Sequence, residues 1–364
     1  MRAVAFVVAL VLPGAAFGQA AKKVDVTECV GRGLEFLKKK QWADGHWEAA
    51  RGQYPTVCTA LAGLAFLMEG SNLREGKYSD QIARAVDWFL VKSQANGLLG
   101  TPQNPTESSR YMYGHGYGLL FLASAYGEEA DVARRKAMEK LLRKAVTFTV
   151  EAQTRQGGWG YVTAAAGGGF DEGHVLVIQL QGLCAARNAG IPVPKACVGK
   201  AMEYFRKSTT VRGGIVYHLG AAGPPPAEGG ERPAVTAGGV VSAFCSGLGD
   251  EKTLAAWVRY CREAIWNDGR VAPAGGHDDF QTYYFAQVVF ALGEDRYGEI
   301  VPNDPKGKWV VWSKYRDNLY RYLRESQAAD GGWAGGFDGD GLIVTSFRLH
   351  LLQLENNLLP PYHR

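Results

Sequence analysis

Gln41-Trp42-Ala43-Asp44-Gly45-His46-Trp47 returns in related form as Gln153-Thr154-Arg155-Gln156-Gly157-Gly158-Trp159 and as Gln327-Ala328-Ala329-Asp330-Gly331-Gly332-Trp333. Each copy runs from a glutamine to a tryptophan through a glycine turn, and self-similarity of this kind marks a chain built from repeated supersecondary units. Degenerate copies occupy the gaps: Gln94-Ala95-Asn96-Gly97-Leu98-Leu99, then Ser208 leading to Gly213-Gly214-Ile215, then Trp266-Asn267-Asp268-Gly269. Ile265 lies three residues before Asp268, as Gln41 lies three before Asp44. With Ile265 in the fifth glutamine position, the six copies are 53, 59, 55, 57 and 62 residues apart. A step of that size holds two helices and two connections.

Two kinds of helix fill each step. The first is amphipathic: Ile82, Ala85, Val86, Phe89 and Leu90, and again Met138, Leu141, Leu142, Ala145 and Val146, follow the spacing of one buried face. The second follows the turn and is apolar nearly all round, over residues 56–68, 115–126, 174–189, 236–248, 279–292 and 345–354. Such a helix needs burial on every side. Gly70, Gly127, Gly190, Gly249 and Gly293 follow five of these helices, where a left-handed terminating residue is expected. Six hairpins of this design close naturally into an all-α (α/α)6 toroid, with apolar helices inside, amphipathic helices outside and a central cavity.

The wider composition agrees. In 364 residues, 46% hydrophobic and 21% charged describe a globular chain, and 47 glycines, about 13%, without a Gly-X-Y period describe many tight turns. A formal charge of +4 with scattered basic residues offers no stripe for nucleic acid. Arg2, an apolar run over residues 3–12, Pro13-Gly14 and Ala16-Phe17-Gly18 read as a secretory signal over residues 1–18, leaving residues 19–364 as one toroid domain. No later run is long enough for a transmembrane helix, so a secreted or periplasmic soluble protein is expected. Cys29, Cys58, Cys184, Cys197, Cys245 and Cys261 show no C-x-x-C pair. Disulfides are permitted by that compartment, but the spacing does not indicate them, and buried free thiols are the expectation.

These elements resemble the prenyltransferase and squalene-cyclase (α/α) toroid superfamily, whose glutamine-to-tryptophan motif is similar to the copies at Gln41, Gln153 and Gln327. The resemblance runs from about Cys29 to the C-terminus. Through Tyr113-Gly114-His115-Gly116, residues 184–192 and residues 360–364, the chain is also similar to exported bacterial squalene-cyclase-like repeat proteins.

The repeated Gln and Trp are read as structural. Chemistry is expected where the inner helices begin, since their N-termini turn polar groups and positive dipole ends towards one mouth. A cationic cyclase needs a carboxylic acid kept neutral by burial and a neighbouring carboxylate. The resemblance implies a D-x-D-D acid motif, which Gly276-His277-Asp278-Asp279 matches in its last two positions, with glycine where the first aspartate would stand. This makes Asp278 the candidate proton donor and Asp279 its partner; otherwise Asp279 caps the helix from Phe280 and Asp278 is solvated. His115 is the candidate to orient or recharge the acid. With His174, Asp171 and Glu172, it could instead hold a metal or move a proton across the mouth, or merely cap a turn. The D-x-C element of zinc prenyltransferases is missing and Gln281 stands where their histidine ligand would fall, so no metal and no cofactor are expected. Substrate contacts are assigned to Tyr113, Tyr117, Phe121, His174 and Tyr283, whose rings suit a carbocation or an ordinary core.

The leading expectation is an exported terpene cyclase, similar to squalene-hopene cyclases, acting on an apolar small molecule or lipid by acid-initiated cyclisation. Two alternatives stand beside it: a non-catalytic lipid-binding or scaffold toroid, and a carbohydrate-active (α/α) enzyme. A deep dry pocket suits isoprenoids, an open acidic cleft suits glycans, and a filled ring suits a scaffold. The oligomeric state is not encoded legibly.

Overall fold

The apolar segments fold into helices buried round almost their whole circumference, and their ends meet in a ring. The computed structural model describes residues 24–167, 170–220, 226–268, 270–271, 278–335 and 339–358, without the side chain of Asp278. The expected signal at residues 1–18, together with His277, Asp338 and the 360–364 motif, lies outside the described residues. In chain order the helices are α1 (Thr27–Lys39), α2 (Pro55–Glu69), α3 (Ser79–Lys92), α4 (Tyr111–Tyr126), α5 (Val132–Ala152), α6 (Ala164–Gly167), α7 (Gly173–Asn188), α8 (Lys195–Lys207), α9 (Pro233–Ser246), α10 (Glu251–Ala264), α11 (Asp278–Leu292), α12 (Arg296–Ile300), α13 (Trp312–Glu325) and α14 (Leu342–Leu352). Among the described residues there are isolated bridges but no strand, and no helix is long and apolar enough to cross a membrane.

Helices α2, α4, α7, α9, α11 and α14 each pack on the next, and α14 packs on α2, which closes the inner ring. The amphipathic helices sit outside the joints: α3 contacts α2 and α4, α5 contacts α4 and α7, α8 contacts α7 and α9, α13 contacts α11 and α14, and α10 rests on α9. Helix α1 bridges α14 and α2. The result is an (α/α)6 toroid. Helix α2 shows the inner character: from Thr56 to Met68 every residue but Val57 is buried. Helix α1 shows the outer one, burying Cys29, Gly33, Phe36 and Leu37 on one face.

The glutamine-to-tryptophan turns are joints between neighbouring repeats. Gln153 donates from Nε2 to Gly157 O in its own turn (2.8 Å) and to Cys197 O at the start of α8 (3.0 Å). Gln41 does the same to Gly45 O and Gln81 O, and Gln327 to Gly331 O and Cys29 O, so the sixth repeat is tied back to the first. The indoles of Trp47, Trp159 and Trp333 are fully buried and donate to Leu37 O, Thr149 O and Leu323 O at 2.7, 2.7 and 2.8 Å. Glycine is required in these turns twice over. Gly157 has φ +103°, and a Cβ there would lie 2.5 Å from Lys200 O on α8. Gly45, Gly97, Gly213 and Gly331 press in the same way on Arg84, Lys144, Ala256 and Arg32 of the next outer helix.

Helix ends depart from expectation in two places. Gly70, Gly190 and Gly293 are left-handed, but Gly127 stays right-handed at φ −59° as the chain runs directly towards the Asp131 cap of α5. Helix α9 stops earlier, at Gly247 with φ +71°, instead of at Gly249.

Candidate active site

All six inner helices begin at the same end of the ring, around a cavity of about 610 Å³. Tyr54 and Val57 come from the start of α2, Tyr113 and Tyr117 from α4, His174 from α7, Pro233 and Ala234 from α9, Phe280 and Gln281 from α11, and Ile343 and Phe347 from α14. Loops add Glu107, Arg110, Tyr161, Tyr217 and Arg232. The cavity occupies only the mouth. About two helical turns further in, Gln181 of α7 donates to Gln287 of α11 across the ring at 3.0 Å. Beside it His350 donates from Nε2 to Leu61 O (2.9 Å), which leaves Nδ1 to accept from the Tyr283 hydroxyl (3.2 Å). The ring is therefore filled below and hollow above.

The wall is aromatic, with buried polar groups behind it. Glu172 caps α7, accepting from the N–H groups of His174 (3.1 Å) and Val175 (2.7 Å), and also accepts the Tyr113 hydroxyl at 3.0 Å. The hydroxyls of Tyr161 and Tyr217 are 2.5 Å apart. Burial, and then the Glu172 carboxylate, pushes the Tyr113 and Tyr217 phenols up, so both stay protonated as donors. Glu107 is equally committed: it accepts from Thr56 N (2.8 Å), Thr56 Oγ1 (2.6 Å) and Thr101 Oγ1 (3.1 Å) at the start of α2. Tyr54, next to that start, is left-handed at φ +51°, and its N–H is held by Thr106 Oγ1 at 2.9 Å. Strain of this kind at a cavity rim is maintained only by its surroundings. Arg110 lies over the Tyr161 ring, 5.7 Å from its centre.

The residues expected at the mouth divide. Tyr113, Tyr117 and His174 line the cavity, and His174 packs on Phe280 with ring centres 5.0 Å apart. His115 does not face it and does not oppose His174. Its position on α4 points it outward to α5, where Nε2 meets Thr149 Oγ1 (2.8 Å) and Nδ1 accepts from Leu99 N (3.2 Å). Thr149 gives its own proton to Ala145 O, so Nε2 carries the ring proton, and burial pushes the imidazole down to about 3. Phe121 also faces outward, against Phe89, and Tyr283 lies in the filled part of the ring on Phe347 and His350. Helix α11 already begins at Asp278, so Asp279 stands inside its first turn and not at a cap. Asp279 is half-buried and within electrostatic reach of Arg348, while the Asp278 side chain lies outside the described residues. Among the described residues no three metal-ligating side chains converge.

No family model matches the chain. In sequence, 91 residues align with human and mouse lanosterol synthase at 32% and 31% identity. They make up 25% of this chain and 12% of each lanosterol synthase, so the likeness spans about an eighth of those proteins. In structure, the chain is similar to a protein from Actinoplanes, with a TM-score of 0.59 and 18% identity over 90% of this chain and 98% of that one. It is similar to an inactive variant of the α-1,6-mannanase GH76A of Salegentibacter sp. HEL1_6 in complex with α-1,6-mannotriose (TM-score 0.62, 9% identity, 92% of this chain and 100% of that one). It is also similar to a variant of the type II terpene cyclase MstE from Scytonema in complex with geranylgeranyl dihydroxybenzoate (TM-score 0.56, 13% identity, 93% and 97%). The chain shares the (α/α) toroid fold of these proteins.

Within the toroid, the repeat register carried a signal that sequence reading did not use. Tyr161 stands two residues after Trp159, and Tyr217 two after Ile215 in the matching position of the next repeat. Equivalent positions of adjacent repeats come together in a ring, which is why the two hydroxyls meet. Glu107, Arg110 and Phe347 carried no such mark.

Proposed function

We propose that the toroid binds an apolar, isoprenoid-like molecule in the mouth cavity and cyclises it by acid initiation, with Asp278, beside Asp279, as the proton donor. The observation that supports this reading is the wall itself: seven aromatic residues and His174, drawn with Ile343 from every repeat, surround a space within the ~300–1,000 Å³ of small-molecule pockets. Phe280 and Gln281 belong to that wall, and the Asp278-Asp279 pair immediately precedes them. The proton would add to an alkene carbon, the cation would close a ring against electron-rich π faces, and loss of a proton would return the acid, leaving the mass unchanged. Tyr113, Tyr117 and His174 are the substrate contacts in this reading.

One observation favours a second reading, a lipid-binding toroid without turnover: Glu107 and Glu172, the buried carboxylates at the wall, are both occupied as helix caps. Mass spectrometry of solvent extracts from the purified protein, followed by incubation with linear isoprenoids of increasing length, separates the two. A bound isoprenoid that is converted to a cyclic isomer by the native chain, but not by Asp278→Asn, is the expected result. An isoprenoid bound and never converted selects the binding reading. Binding of mannooligosaccharides with no apolar ligand would overturn both.

A further inference from the structure

Six cysteines are free, and two of them meet. Cys184, on the last turns of α7, and Cys245, near the end of α9, place their sulfurs 3.1 Å apart although 61 positions separate them in sequence. That is closer than ordinary non-bonded sulfurs approach, and about 1 Å of side-chain rotation would bring them to the ~2 Å of a disulfide bond. The two helices are neighbours in the inner ring. Their ends are also fixed relative to each other: Arg187 of α7 donates to Cys245 O at 2.8 Å and to Ser246 O at 3.2 Å. Cys29, Cys58, Cys197 and Cys261 are buried on other helices, whereas Cys245 is partly open to solvent.

We propose that Cys184 and Cys245 are an oxidation site, a thiol pair that closes to a disulfide joining α7 to α9 when the protein meets a disulfide oxidant. The more open Cys245 attacks one sulfur of the oxidant and displaces the other as a thiolate, forming a mixed disulfide. Cys184 then attacks the Cys245 sulfur and displaces the second thiolate. The two cysteines lose two electrons and two protons, and the oxidant is reduced to two thiols. The contact between the sulfurs pushes the Cys245 thiol up and, followed by the Arg187 charge, holds the Cys184 thiol below its ordinary value, so the greater exposure of Cys245 sets the first step and the thiolate character of Cys184 favours the second. The crosslink would have a consequence for the cavity, because α7 and α9 open at its wall with His174 and Pro233. Joining their far ends would limit how those two walls separate.

The test uses the full chain and oxidised glutathione. Intact mass and peptide mapping after blocking of free thiols should show the loss of two hydrogens and a single crosslinked pair, Cys184 with Cys245. The other four cysteines should remain blockable once the chain is unfolded. Cys184→Ser should stop at the first step and retain one glutathione on Cys245, and Cys245→Ser should take up none. The oxidised wild type should melt at a higher temperature than the reduced protein. Recovery of both cysteines as free thiols, or a crosslink to any other cysteine, would overturn the proposal, and the wild-type mapping decides it even if a variant fails to fold.

Discussion

Trp159 illustrates how single residues serve the toroid. Its indole is completely buried and its N–H reaches back to Thr149 O, the carbonyl of a residue near the end of the preceding outer helix. Replacing Trp47, Trp159 or Trp333 with alanine is expected to cost ~3–5 kcal/mol in denaturant unfolding, since each removes a large buried aromatic and leaves a carbonyl without its donor. The buried titratable residues set the acid behaviour. Burial holds His115 down to about 3 and His350 down to about 4, against 6.5 for a free imidazole. The unfolded chain then takes up protons below pH 6.5 that the folded chain refuses. Stability is complete above that pH and falls towards pH 4, by up to about 1.4 kcal/mol per unit for each histidine. Asp171 acts in the opposite direction: burial pushes its carboxyl from 3.8 up to about 6, so the folded chain holds an extra proton in that window and gains stability as the pH falls. Unfolding curves at pH 7, 6, 5 and 4 should show a net loss that becomes steeper in Asp171→Asn and shallower in His350→Gln.

At the scale of elements, the joint between repeats is one glutamine, one glycine and the first turns of the next outer helix. A methyl at Gly157 would meet the Lys200 carbonyl in a backbone conformation that alanine disfavours, so Gly157→Ala should destabilise by roughly 1–3 kcal/mol. Gly190 is left-handed too, at φ +81°, but has nothing within 4 Å of a built Cβ, so Gly190→Ala should cost less, about 1 kcal/mol. Chemical denaturation of the two variants separates close approach from conformation. Gln327→Ala tests the seam, because its amide makes the same two bonds to Cys29 and Gly331 that Gln153 makes to Cys197 and Gly157. The two glutamine variants should lose similar stability, ~1–2 kcal/mol. A much smaller loss at Gln327 would mean that the ring is held shut elsewhere.

For the whole molecule, closure is the decisive property. An open array of hairpins frays from its ends, whereas α14 packs on α2 here and α1 covers that joint, so the first and last repeats have neighbours on both sides. Hydrogen exchange should therefore protect α2 and α14 about as strongly as α7 and α9. Rapid exchange confined to α2 and α14 would contradict a sealed ring. Closure also creates the candidate site, since six parallel helix starts converge on one mouth while Gln181, Gln287, Tyr283 and His350 fill the ring below it.

The number of repeats, the alternation of outer and inner helices and the (α/α)6 class were legible in sequence because they rest on local spacing: a turn motif every 53 to 62 residues and helices with one apolar face or with apolar residues all round. The position of the mouth cavity that forms the candidate site was legible for the same reason, since a repeat fixes which helix ends share a mouth. Which side chains enter the cavity was not. An inner helix is apolar on every side, so its sequence carries no face that distinguishes ring centre from outer layer. His115 and Tyr117, two residues apart on α4, therefore read alike, yet one turns to Thr149 on α5 and the other to the cavity. The pairing of Tyr161 with Tyr217 and the meeting of Cys184 with Cys245 are likewise products of closure, because only the packing of one repeat against the next brings residues 56 and 61 positions apart into contact.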